Sequence, residues 1–193
     1  MYRHQPSGIG VLGLIIFVNC AVYAEMAYSL EVLSFTARQA LEWGATFGPW
    51  VTSGEWWRLW TANYVHLSAL HIVLNMVALV AWGAPVSRRM GAVRFAIFYT
   101  ACGILGSLAS VLTQPHRVSA GASGAISGVL GALVAFRLAG DRSIRSIELA
   151  YALLFNLAFA VFMPSIDWQA HLGGLVAGVL LCLLAAATLT KSV

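Results

Sequence analysis

The chain is 193 residues long, 60% hydrophobic and only 9% charged, with a mean hydropathy of +0.83. Soluble domains carry about 25% charged residues, so the composition excludes a water-soluble globule and predicts an all-α membrane protein, one domain over residues 1–193. The formal charge of +4 comes without a basic run interleaved with aromatics, which argues against a nucleic-acid partner.

Spans are predicted wherever an apolar stretch can cover a ~30 Å core with roughly 17–25 helical residues. The first, Gly8–Tyr28, lacks the short apolar core and small-residue cleavage site of a signal peptide. Seven residues precede it, so no cytosolic domain is expected ahead of it. Ser29–His66 follows as one long loop and holds five of the seven tryptophans, Trp43, Trp50, Trp56, Trp57 and Trp60. Indoles favour the headgroup region, with the ring in apolar surroundings and the N–H wet. This loop is therefore expected to lie partly immersed in the bilayer interface. Five more spans follow at Leu67–Pro85, Ala92–Thr113, Ser123–Ala139, Ile147–Met163 and Gln169–Thr190, with no seventh. Cys20, Cys102 and Cys182 sit singly in separate apolar stretches and read as small hydrophobes, not as a disulfide framework.

Basic residues set the orientation. With the N-terminus in the cytoplasm, that side holds Arg3, Arg88, Arg89, Arg94, Arg137, Arg142, Arg145 and Lys191, against Arg38, Arg58 and Arg117 outside. Both termini are expected in the cytoplasm, and a bacterial inner membrane is the expected location.

Four polar residues stand where lipid should not tolerate them: His71, Asn75, Ser123 and His171. Counting 1.5 Å per helical residue from the cytoplasmic charges puts Asn75 about 20 Å up, Ser123 about 21 Å, His71 about 26 Å and His171 roughly 30 Å. All four reach the outer half of the membrane, within about two turns of one level. His71 and Asn75, four apart, share a helix face. Ser123 opens its helix, where free N–H groups and the positive end of the dipole suit an oxyanion. His171 is placed to act as general base for Ser123. Gly121, Gly124, Gly128 and Gly131 make a smooth stripe, and Gly174 and Gly178 lie below His171, so the two helices can approach closely. Phe155, Phe159 and Phe162, ahead of Met163-Pro164, give the fifth span an aromatic face and the part of a candidate gate. The non-helical stretch Gln114–Gly121 is expected to line a wet cavity.

Four segments resemble the rhomboid intramembrane serine proteases. Gly121-Ala122-Ser123-Gly124 is similar to their GxSG motif, and His171, Gly174 and Gly178 to the pattern of their last helix. His66, His71 and Asn75 resemble their second-helix histidines and asparagine, and Trp57-Arg58 the Trp-Arg pair of their first outer loop. The resemblance runs in order from about Gly8 to Thr190. It implies a six-helix rhomboid-like bundle with a long interfacial first outer loop. It also implies a Ser123–His171 dyad that cleaves single-pass transmembrane proteins without metal or cofactor, in a site opening to the outer side. His71, Asn75 and the Ser123 N–H would polarise the scissile carbonyl, with Trp57, Arg58 and His66 structural. Asp167 is expected in the outer loop, apart from the dyad. One departure is clear: Ser127 stands where many members carry a ring beside the histidine. Two rival readings are a non-catalytic rhomboid-like binder of transmembrane segments and a small proton or metal transporter.

Overall fold

The computed structural model describes residues 8–162 and 166–190. Within these the chain is helical, with two isolated bridges and no strand. The helices are α1 (Gly8–Leu30), α2 (Ala37–Glu42), α3 (Gly48–Thr52), α4 (Arg58–Thr61), α5 (Ala69–Met90), α6 (Ala92–Thr113), α7 (Ser123–Leu138), α8 (Ser146–Phe162) and α9 (Trp168–Thr190). A 3-10 turn, Ala62–Tyr64, follows α4. Of these, α1, α5, α6 and α9 are long and apolar enough to cross a membrane, while α7 and α8 are apolar but shorter.

A helix occupies each of the six stretches predicted as spans, with shifted ends. Ala69, not Leu67, begins α5, behind Ser68, whose hydroxyl accepts the His71 N–H as an N-cap. The helix also runs through Pro85 to Met90. Proline removes one backbone bond, but Arg88 and Arg89 complement the carbonyl end of the last turn. Gly91, at φ 77°, then stops it. Met163 and Pro164, the predicted end of the fifth span, lie outside the described residues.

The segment read as one loop, Ser29–His66, is instead largely short helices. Thr36 and Gln39 form a reciprocal capping box that starts α2, and Pro49 sits at the start of α3. Elements of four to six residues are too short to show periodicity, so composition alone described them. Arg58 fastens this segment. Its buried guanidinium donates to the Leu41 and Ala45 carbonyls at 2.7 and 3.0 Å and pairs with Glu55 at 2.7 Å. The rings of Trp50 and Trp57 lie 4.6 and 4.5 Å from it, so its charge is held by carbonyls, a carboxylate and two indole faces.

Burial runs inside out relative to a soluble bundle. Phe17, Val77 and Ile97 are more than 60% exposed on the rim, as a lipid solvent requires. Meanwhile α7 is buried at every residue from Gly124 to Leu133 and packs against α5, α6, α8 and α9. The serine among glycines therefore opens the central helix.

Candidate active site

Small residues let the central helix touch its neighbours. A Cβ on Gly174 would overlap the Gly124 carbonyl, and one on Gly178 would overlap the Gly128 carbonyl. The space over Gly124 faces the Ala170 carbonyl at 3.4 Å. So the residue after Ser123 lies against the residue before His171. The two helices meet backbone to backbone at the level of both side chains.

Beside this contact is a cavity of about 260 Å³ whose lining includes Ser123, His171, His71 and Asn75. All four residues singled out for depth reach one space. Ser123 is the first residue of α7, so its N–H has no intrahelical acceptor. Gly121 turns the chain into the helix at φ 124°, a conformation that favours glycine. A Cβ there would come within 2.8 Å of His71 Nε2 and 3.8 Å of Ser123 Oγ. Glycine thus lets His71 and the serine hydroxyl share this corner.

The hydrogen bonds fix the tautomer of His71. Its Nδ1 accepts the Leu67 N–H at 3.4 Å, so in the neutral ring Nε2 carries the proton and points it toward Gly121. Asn75 donates one amide hydrogen to the His71 carbonyl at 2.9 Å, which leaves a second hydrogen on Nδ2. His66, fully buried, packs its ring edge-on to His71 with centroids 5.0 Å apart, and its Nε2 accepts the Ala122 N–H at 3.4 Å. His66 therefore sits behind the corner, between His71 and the turn into α7.

The walls of the corner are held from outside. The Gln114–Gly121 stretch pairs Ser119 with Thr46 through two backbone bonds, and the Gly121 N–H bonds the Ala62 carbonyl at 2.8 Å. The non-helical approach to Ser123 is thus satisfied by the Trp-rich segment. Phe155 of α8 lines the cavity; the side chains of Phe159 and Phe162 lie outside the described residues.

One residue escaped the sequence reading. Asn156, on α8, also lines the cavity and donates to the Ser127 hydroxyl at 3.0 Å. Ser127 is fully buried and faces this amide, so the missing ring is replaced by a polar pair. An amide in an apolar span was the available signal. Asp167, expected in the outer loop, does stand in the connection ahead of α9. It is buried, lines the cavity and caps α9, its Oδ1 accepting the Ala170 N–H at 3.1 Å. An acid three residues before that N–H is an N-cap signature that the polar-loop assumption masked.

Known proteins are similar to this chain over much of its length. A family model described as a rhomboid domain matches residues 53–188. Rhomboid protease GluP of Bacillus subtilis is 39% identical over 167 residues, 84% of this chain and 33% of that protein. RHOMBOID-like protein 5 of Arabidopsis thaliana is 36% identical over 135 residues, 66% of this chain and 43% of that protein. Rhomboid-like protease 3 of Toxoplasma gondii is 32% identical over 145 residues, 72% and 55% of the two chains. The chain spans about a third of the length of the first of these relatives and about half of the last.

Proposed function

The chain belongs to the rhomboid family and is an integral membrane protein, and from that premise we propose that it is an intramembrane serine endopeptidase acting on single-pass transmembrane proteins. The observation that carries the reading is the shared cavity. Ser123 opens the central helix, and His171, His71 and Asn75 face the same space. In this reading six helices cross the bilayer as a single domain, both termini are cytoplasmic, and the cavity opens to the opposite side. The relatives named as proteases support the activity.

The chemistry follows from the groups present. Ser123 Oγ attacks the scissile carbonyl while His171 takes its proton. The oxyanion forms beside the Ser123 N–H, the His71 Nε2–H and the free Asn75 amide hydrogen, donors already aimed before charge develops. His171 then passes the proton to the departing amine. Water enters the cavity, gives a proton to His171 and attacks the acyl carbonyl, and as the ester bond breaks His171 returns that proton to Ser123 Oγ. A transmembrane substrate has to unwind locally to present its peptide bond, which favours segments with poor helix formers.

Cleavage of a reporter transmembrane substrate in liposomes tests this. Ser123→Ala and His171→Ala are each expected to abolish the product, and a fluorophosphonate is expected to label folded wild type but not Ser123→Ala. Wild-type cleavage by Ser123→Ala would refute the assignment. Labelling absent from folded wild type would instead support a non-catalytic binder of transmembrane segments.

A further inference from the structure

Asp167 is a buried carboxylate that no step of the hydrolysis uses. It lies four residues before His171 with 8% of its surface exposed. A carboxylate removed from water is destabilising unless its oxygens are satisfied, and here both are. Oδ1 accepts the Ala170 N–H at 3.1 Å, and Oδ2 accepts the hydroxyl of Ser110, a buried residue of α6. The Asp167 carbonyl accepts the His171 N–H at 3.2 Å. The neighbouring carbonyl, of Ile166, accepts from Arg117 at 2.9 Å. The first turn of α9 is thereby tied to α6 and to the loop that leads into α7.

His171 itself has no such tie. Its Nδ1 is buried without a hydrogen-bond partner among the described residues. Among the described residues no acid orients the imidazole through its second nitrogen, as one does in a triad. The place of the ring is inherited from the backbone that carries it.

We infer that Asp167, acting with Ser110, is a positioning residue for His171. The carboxylate fastens the first turn of α9 to α6 and so sets where the imidazole stands relative to Ser123. The inference rests on the dyad reading above. The role is one of hydrogen bonding, so an amide of the same shape can fill it: asparagine caps helices about as well as aspartate, its Oδ1 accepting the Ala170 N–H while its Nδ2 donates to a Ser110 hydroxyl turned to accept.

The test compares wild type with Asp167→Ala, Asp167→Asn, Ser110→Ala and the double alanine variant, using kcat and KM on a reporter substrate and melting temperature. A displacement of about 1 Å can cost about 100-fold in rate, so Asp167→Ala is expected to lose about 10–100-fold in kcat with KM held within about twofold. Asp167→Asn is expected to recover kcat to within about fivefold of wild type, and Ser110→Ala to lose about three- to tenfold. Because the two residues act through one bond, the double variant is expected to be no slower than Asp167→Ala. Wild-type kcat in Asp167→Ala overturns the inference, as does a loss confined to KM. So does an Asp167→Asn as slow as Asp167→Ala at an unchanged melting temperature, since charge and not bonding would then act. Should Asp167→Ala fail to fold, Ser110→Ala keeps the cap, and wild-type kcat in that variant overturns the inference. Failure of the dyad reading looks different: Ser123→Ala would cleave.

Discussion

The central helix α7 meets α9 and α8 by opposite means. Against α9 the contact is backbone on backbone, with Gly124 and Gly128 under Gly174 and Gly178 and no side chain between them. Against α8 it runs through side chains, and the amide of Asn156 with the hydroxyl of Ser127 ties the two helices at the cavity. The first contact cannot move without breaking, because interiors packed at this density have no slack. The second can lengthen or re-form with a rotamer change. This difference suits the task. Under the proposed dyad, Ser123 and His171 must hold their relation to within a fraction of an ångström, whereas a cavity that is to receive a transmembrane segment needs one wall that can yield.

The sharpest way to break the comparison is to insert a methyl group into the rigid side. A Cβ on Gly178 overlaps the Gly128 carbonyl, and backbone cannot step aside as a side chain can. Gly178→Ala is therefore expected to cost about 1–3 kcal/mol or more and to lower activity at least about 100-fold through displaced catalytic groups. Melting temperature and cleavage rate, measured on the same preparation, check it. A Gly178→Ala variant with wild-type activity would mean that α7 and α9 can separate without cost.

The yielding side is expected to respond less. Asn156→Leu removes the donor to Ser127 and leaves the buried hydroxyl to its own backbone. Hydrogen bonds between membrane helices are worth about 0.6 kcal/mol on average and up to about 1.7. The variant should therefore lose only a few degrees in melting temperature and keep activity within about fivefold. A double-mutant cycle with Ser127→Ala measures the pair directly. Coupling well above about 1.7 kcal/mol would make α8 as rigid a wall as α9.

The two sides were also unequally legible in the sequence. Gly174 and Gly178 repeat at a four-residue step under His171, so the close contact could be read from spacing. Ser123, His171, His71 and Asn75 announced themselves because polar groups are costly in lipid. Asn156 carries the same cost and was overlooked inside a strongly apolar stretch with an aromatic face. The burial of Asp167 was missed for a different reason. Its burial depends on Ser110, 57 residues earlier on another helix, and no local pattern reveals such a partner. The short helices between α1 and α5 were hidden because Arg58 holds them through carbonyls contributed by Leu41 and Ala45. Local spacing thus revealed what one helix does alone, and left unread what two segments do together.

The end of α8 away from the cavity offers the smallest effect and the finest refinement. There Arg137 donates to Ser146 at 3.0 Å, and Arg89 of α5 pairs with Asp141, in the α7–α8 connection, at 2.9 Å. If α8 yields at the cavity, this end is its pivot. The Asp141 carboxyl is held below its ordinary range by the Ser143 hydroxyl first and by Arg89 next. A carboxyl with a lowered folded value stabilises fully above its unfolded value of about 3.9, and that contribution is lost as pH falls through the folded value. The pair is partly exposed, so its contribution is small. Asp141→Asn is expected to melt within about 2 °C of wild type at pH 7, the variant being the lower, as for a partly exposed pair. That gap should close as the pH is taken below about 3.9, because wild type then loses what the variant never had. A gap that stayed constant down to pH 3 would show that the amide disturbs the connection by shape and not by charge. A pivot held by charge would then be ruled out, and any yielding of α8 would have to be traced to its contacts at the cavity.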